Sequence, residues 1–149
     1  MTRNEHCNDI ELLLSSFECL KRKIELDKQD IDDLIKEGKS IEANHRLINP
    51  NEWNPDIDDE IRHKQRIRRR ERSMLNTERL VKKVERIIKE VENDKYYYVI
   101  QMHYFEEKGL PEIACDMQVS IRTLINERTR LLNKLSIFVY GARALVGGE

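Results

Sequence analysis

The chain opens with apolar residues at alternating spacings of three and four. Ile10, Leu13, Phe17, Leu20, Ile24, Asp27, Ile31 and Leu34 follow that rhythm, with Asp27 as its one flaw. The spacing predicts a long helix from about Asn8 to Lys36 with a heptad-like seam. Leu12, Leu14, Leu26 and Ile35 widen the stripe beyond a strict two-helix seam. A second long helix is predicted from about Asp56 to Glu92. Asp56, Asp58, Asp59 and Glu60 load its start with the charge that the helix dipole favours. Ile67, Met74, Val81 and Ile88 recur every seven residues, and Val84 and Val91 supply part of the intermediate series, which Arg70 and Thr77 interrupt. Between the two helices, Gly38 to Pro55 reads as a long connection, with Gly38, Pro50, Pro55 and several Asn. Trp53, the single tryptophan, reads first as an anchor packing this loop and second as a contact for a partner.

The pattern changes after Asn93. Asn93-Asp94 is positioned to cap a new helix, and Tyr96 to Glu107 is dense in aromatic and aliphatic residues. The tyrosines could stack on bases, but a small helical module needs a large apolar first helix, so a scaffold is the stronger reading. Lys108-Gly109 ends that helix, since glycine visits positive φ at little cost. Leu110 to Met117 is a short helix with Pro111 in its first turn, where no N–H is required. Ser120 is a natural N-cap for a third helix reaching about Val139. Gln118 stands in the turn, where Gly or Asn would take a left-handed conformation more easily.

Ile113, Ala114 and Met117 line one side of the short helix, and Ile121, Leu124, Ile125, Leu131 and Leu132 one side of the next. Val119 fills the turn, and Ala114 is small where two crossing helices approach most closely. Arg122, Thr123, Asn126, Glu127 and Arg130 are left on or near the outer face. A short helix, a tight turn and a capped helix with that outer chemistry describe a helix-turn-helix. Arginine can read guanine edges, and asparagine can read adenine edges or hold a phosphate. The expected fold class is therefore all-α: a coiled-coil-like helical hairpin over residues 1–93, with loop 38–55, followed by a helix-turn-helix module over residues 94–149.

Composition supports helix and says little else. Charged residues make up 37%, and the chain has only 5 Gly and 3 Pro. No apolar run approaches the ~20 residues of a membrane span, and the first residues lack a signal-peptide pattern. The 3 cysteines form no paired framework. The expectation is a cytoplasmic protein with no membrane partner. The net charge of −1 conceals a segregation. Residues 1–60 carry 8 Lys and Arg against 16 Asp and Glu, residues 61–92 carry 12 against 5, and the remainder is balanced. Seven of the eleven residues from Arg62 to Arg72 are basic. That run can pair with the acidic first helix, with Asp30, Asp32 and Asp33 as candidates, or neutralise phosphates, or be merely solvated.

Catalysis finds no support. His6, His45, His63 and His103 are scattered, and there is no HExxH, CxxC, P-loop or dinucleotide-binding turn. No catalytic residue, cofactor or metal is expected.

The segment YYYVIQMHYFEEKGLPEIACDMQVSIRTLINERTRLLNKLSIFVYG resembles the region of bacterial sigma factors that reads the −35 promoter element. The matching features are an aromatic helix ending in HYFEEKG, then LPEIA, M-x-V-S and RTLxxER. The chain as a whole is similar to phage late-gene transcriptional regulators of the ArpU and RinA kind. That resemblance implies a sequence-specific double-stranded DNA-binding protein that regulates phage or prophage promoters in a bacterial host and contacts RNA polymerase. It places Ser120, Ile121, Arg122, Thr123, Asn126 and Glu127 toward the major groove, and Arg128 or Arg130 nearer the DNA backbone. Lys134 and Arg143 are the few basic residues beyond, fewer than sigma factors carry. A homo-oligomer, with a dimer favoured, would supply a second half-site. Two other readings fit the same elements: a small-terminase-like DNA-recognition subunit of a phage packaging machine, and a sigma-like protein adaptor that binds no DNA.

Overall fold

The computed structural model describes residues 3–45 and 55–146, with side chains over 4–39 and 58–145. It is all-α, with no strand among the described residues. The elements are α1 (Arg3–His45), α2 (Pro55–Lys89), α3 (Tyr97–Ile100), a π-helical turn (Gln101–Phe105), α4 (Leu110–Met117), α5 (Ile121–Tyr140) and α6 (Arg143–Val146). No helix among the described residues is long and apolar enough to cross a membrane.

Helix α1 outruns the apolar pattern at both ends. Residues 38–45, expected as connection, are helical. Residues 46–54, including Trp53 and Pro50, lie outside the described residues. Gly38 lies inside the helix, and its missing side chain leaves room for a neighbour. The imidazole of His63, itself buried, lies against it, and a Cβ at Gly38 would stand 3.0 Å from Nε2. Through that nitrogen His63 donates to the backbone oxygen of Leu34. In a regular helix this carbonyl accepts from the N–H four residues on, which is that of Gly38. A bare position at Gly38 uncovers the carbonyl one turn before it, and the histidine from α2 shares it.

Two compact units are found, Met1–Cys19 with Val81–Glu149, and Leu20–Leu80. This differs from the expected division at residue 93. The reason is the apolar demand of the C-terminal helices. Ile10, Leu14 and Phe17 from α1, Val81, Val84, Ile87 and Ile88 from α2, and Val91 in the turn just beyond it are buried in the first unit. Polar contacts fix the same junctions. Tyr104 donates to Glu11 Oε1 at 2.7 Å, and Tyr140 donates to Asp9 Oδ2 at 3.1 Å. The Phe17 and Phe105 rings lie 5.3 Å apart, and His6 stacks on Tyr140 at 4.3 Å. Burial, reinforced by the bond to Glu11, holds the Tyr104 phenol well above its usual ionisation range.

The second unit pairs the remaining parts of α1 and α2. The predicted seam holds there: Asp27 and Ile31 are buried, and Leu20, Ile24 and Leu34 are half-buried. Leu26 and Ile35, expected to widen the stripe, are exposed, as is Leu12 in the first unit. Asp27 is tolerated because Lys23 donates to its Oδ1 at 2.6 Å, with Arg70 Nη1 3.9 Å from the same oxygen. Arg70 also lies 3.5 Å from Asp30 Oδ2. Asp32 and Asp33 are exposed and have no ion-pair partner among the described residues.

Gly38 offers a direct test. Alanine is favoured over glycine by about 1 kcal/mol in a helix interior. Here Gly38→Ala is expected to lower stability in urea unfolding, because the new methyl displaces the His63 ring from the Leu34 carbonyl. In a His63→Ala background the same change is expected to stabilise. A gain of similar size in both backgrounds would show that the ring is not seated on Gly38.

Candidate nucleic-acid interface

The short helix, the turn and the capped helix lie where the sequence places them. α4 covers Leu110–Met117 with Pro111 in its first turn. Gln118 takes the left-handed conformation at φ 55° and ψ 45°, and Val119 N–H donates to the Ala114 carbonyl at 3.1 Å. Ser120 is extended and caps α5, its Oγ accepting from Thr123 N–H at 3.1 Å. The Ser120 and Thr123 hydroxyls lie 2.8 Å apart. Val99, Ile113 and Leu124 form a core without solvent exposure, with Tyr96, Tyr98, Met102, Leu110, Ala114 and Val119 packed around it. Ala114 stands where a larger residue would hold the two helices apart.

The approach to this turn departs from expectation. Tyr96 to Glu107 is not one α-helix: α3 gives way to a π-helical turn, closed by Glu106 N–H on the Gln101 carbonyl at 3.0 Å and Lys108 N–H on the Met102 carbonyl at 2.9 Å. The left-handed residue is Glu107, at φ 56°, whereas Gly109 is extended at φ −70°. The wide turn spends its extra residue before the glycine is reached, so the reversal falls on Glu107. His103 stabilises it by donating from Nδ1 to the Lys108 carbonyl at 2.9 Å. That leaves Nε2 as an acceptor, 3.4 Å from Arg128 Nη1.

The predicted site residues divide into two groups. Arg122 and Asn126 are exposed on the outer side of α5, with no hydrogen-bond or ion-pair partner among the described residues. Ile121, expected both on the apolar side and toward the groove, is 43% exposed, and Ile125 at 40% and Met117 at 42% are less buried than their apolar pattern predicts. The buried side of α5 is set by Leu124, Leu131, Leu132 and Leu135, and Ile121 and Ile125, in the first turns of the same helix, stay partly exposed. Lys134 is exposed near the far end. Ser120 and Thr123 are occupied with the cap.

The second group is turned to the fold. Arg130 forms a two-pronged pair with Asp94, Nη1 to Oδ2 at 2.9 Å and Nη2 to Oδ1 at 2.7 Å, and its Nε donates to Glu127 Oε2 at 2.6 Å. Arg128 is half-buried beside His103, and its Nε is buried with no partner among the described residues. Both guanidinium groups are therefore engaged within the first unit, that of Arg130 while still nearly half exposed. Asp94 is the residue that sequence reasoning placed differently. It was expected to cap a helix; it does accept from Tyr96 N–H at 3.0 Å, yet it also holds α5 through Arg130. No spacing rule links positions 36 residues apart. The Arg130 hydrogen bonds, and then that of Tyr96, hold the Asp94 carboxyl below the usual carboxylate range, and Asp94 with Glu127 pushes Arg130 upward.

No protein-family model, no curated protein and no solved structure matches the chain.

Two measurements follow from this geometry. A left-handed non-glycine residue costs roughly 1–2 kcal/mol against a helical one, so Gln118→Gly is expected to raise stability by about 1 kcal/mol in urea unfolding. A loss would mean that the Gln118 side chain contributes more than its backbone costs. Asp94→Asn removes a carboxylate whose folded pKa is depressed. Its contribution is present above the unfolded value of about 3.9 and is lost as pH falls through the folded one. The variant is expected to be less stable at pH 7 by on the order of 1 kcal/mol, since Arg130 is nearly half exposed and screened. The two melting temperatures should converge in acid. A deficit that persists below both pKa values would assign the effect to something other than the ion pair.

Proposed function

We propose that the chain is a sequence-specific double-stranded DNA-binding protein, a transcriptional regulator that enters the major groove with the start of α5. The observation that carries this reading is the split character of that helix. One side packs Leu124 against Val99 and Ile113, while Arg122 and Asn126 stand exposed on the other and Ile121 is partly exposed at the helix start. Their chemistry suits base edges: a guanidinium for guanine, a carboxamide for adenine, and an aliphatic surface for a thymine methyl. The Ser120 cap fixes where the helix starts, so these side chains are held in a defined order along a groove. With Arg128 and Arg130 engaged internally, few cations remain to hold phosphates. A dimer presenting two such helices would compensate, and contact with RNA polymerase at a promoter completes the proposal.

A protein adaptor is the second reading. Met117, Ile121 and Ile125 leave three exposed apolar side chains at the turn, a surface that also suits another protein. The test is selection of bound fragments by the purified chain, followed by gel shift on the selected site. Arg122→Ala with Asn126→Ala is expected to reduce the specific complex at least tenfold with the circular dichroism unchanged, since each good base contact contributes ~1–3 kcal/mol. Enrichment of no sequence, or a specific complex unaffected by the pair of changes, would overturn the assignment of this face and favour the adaptor.

A further inference from the structure

The basic run of α2 lies in the other compact unit, far along the chain from the α5 face, and the structure resolves it into distinct sides. Arg62 is 3.8 Å from Asp59 and Lys64 is 3.4 Å from Glu60, both neighbours on the same helix. Arg70 is drawn onto Asp30 and Asp27 of α1. Arg66, Arg68, Arg69 and Arg72 are exposed and have no ion-pair partner among the described residues. Acidic α1 therefore neutralises one arginine of the run and leaves four unneutralised.

Two of those four share a site. Arg66, Arg69, Arg70 and Ser73, spaced i, i+3, i+4 and i+7, form one side of α2, and with Leu34 they line an open cleft of about 480 Å³. Arg68 and Arg72 fall on a different side of the helix. In the cleft, Arg70 lies 3.5 Å from Asp30 and 3.9 Å from Asp27, which offsets part of the repulsion Asp30 would exert on an anion. Arg66 and Arg69 flank it with free guanidinium groups about one helical turn apart, and the Ser73 hydroxyl adds a neutral donor. Planar, multiply donating cations gathered on one side of a helix suit neighbouring phosphate groups.

We infer that this cleft is a second nucleic-acid contact, holding the phosphodiester backbone independently of base sequence. A membrane surface is the poorer fit. A helix lying on lipid needs a free apolar side opposite its cations, and in α2 the side bearing His63 and Ile67 is buried or half-buried within the unit. The inference does not rest on α5 reading bases, since the cleft is built entirely from residues of the second unit.

The experiment uses the full chain and a random-sequence 20-base-pair duplex, with affinity followed by fluorescence anisotropy across a potassium chloride series. Each phosphate contact contributes about 0.9 to the slope of log affinity against log salt. Arg66→Ala with Arg69→Ala is expected to make the slope shallower by about 2 and to weaken binding at least tenfold at low salt. Arg68→Ala with Arg72→Ala removes the same charge from another side of the helix and is expected to change the slope by less than half as much. Arg122→Ala with Asn126→Ala is expected to retain the cleft's contribution, so the failure of either site can be told from the failure of the other. Equal effects from the two double arginine variants would reduce the cleft to general electrostatics and overturn the inference. So would an unchanged slope. Binding to phosphatidylglycerol vesicles that depends on Arg66 and Arg69, with duplex binding unaffected, would assign the cleft to a membrane instead.

Discussion

Val99, Ile113 and Leu124 come from three separate elements and meet without solvent exposure. Around that contact the first unit is arranged. It fixes the crossing of α4 and α5, and the crossing fixes which side of α5 can face outward. Ala114 beside it permits the approach. Burial of side chains of this size stabilises by roughly 1.5–3 kcal/mol each, so the core dominates any single polar contact nearby. The Asp94–Arg130 pair then acts as a directional tie over the core. It joins the entry of α3 to the middle of α5, and in doing so takes a cation away from the outer face.

The turns at either end of α4 share an unusual economy. Glu107 and Gln118 both adopt positive φ where glycine would be less strained. The π-helical turn before Glu107 explains the first, because its wide hydrogen bonds place the reversal ahead of Gly109. At Gln118 the reversal is set by the demands on both sides: α4 ends on Met117 and Ser120 caps α5, leaving only Gln118 and Val119 to change direction. Val119 packs on the core, so the strain falls on Gln118.

In the second unit a different device sets the alignment of the helices. His63 needs a bare position and an accessible carbonyl, and Gly38 with Leu34 supplies both. A shift of α2 along α1 would press the imidazole on an ordinary side chain and leave its N–H unpaired in a buried place, at a cost of ~1–3 kcal/mol. Arg70 adds a second fixed point through Asp27 and Asp30. This alignment brings Leu34 beside Arg66 and Arg69, so the composition of the arginine cleft follows from where one histidine can sit.

The all-helical class, the heptad seam of α1, α4, and the Ser120 cap with the start of α5 were written in local sequence. Each depends on periodicity or on a residue's preference within one turn, and such signals survive without neighbours. The outward side of α5 was legible at Arg122 and Asn126 for the same reason. Other features were decided only by partners distant in the chain. Ile121 and Ile125 have an apolar pattern consistent with burial, but the core had already been filled by Leu124, Leu131, Leu132 and Leu135. Gly38 reads as a breaker until a histidine from another helix occupies its vacancy. Arg128 and Arg130 read as free cations until His103 and Asp94 are brought beside them. Spacing along a helix states which side a residue lies on; only the packed structure states what stands opposite.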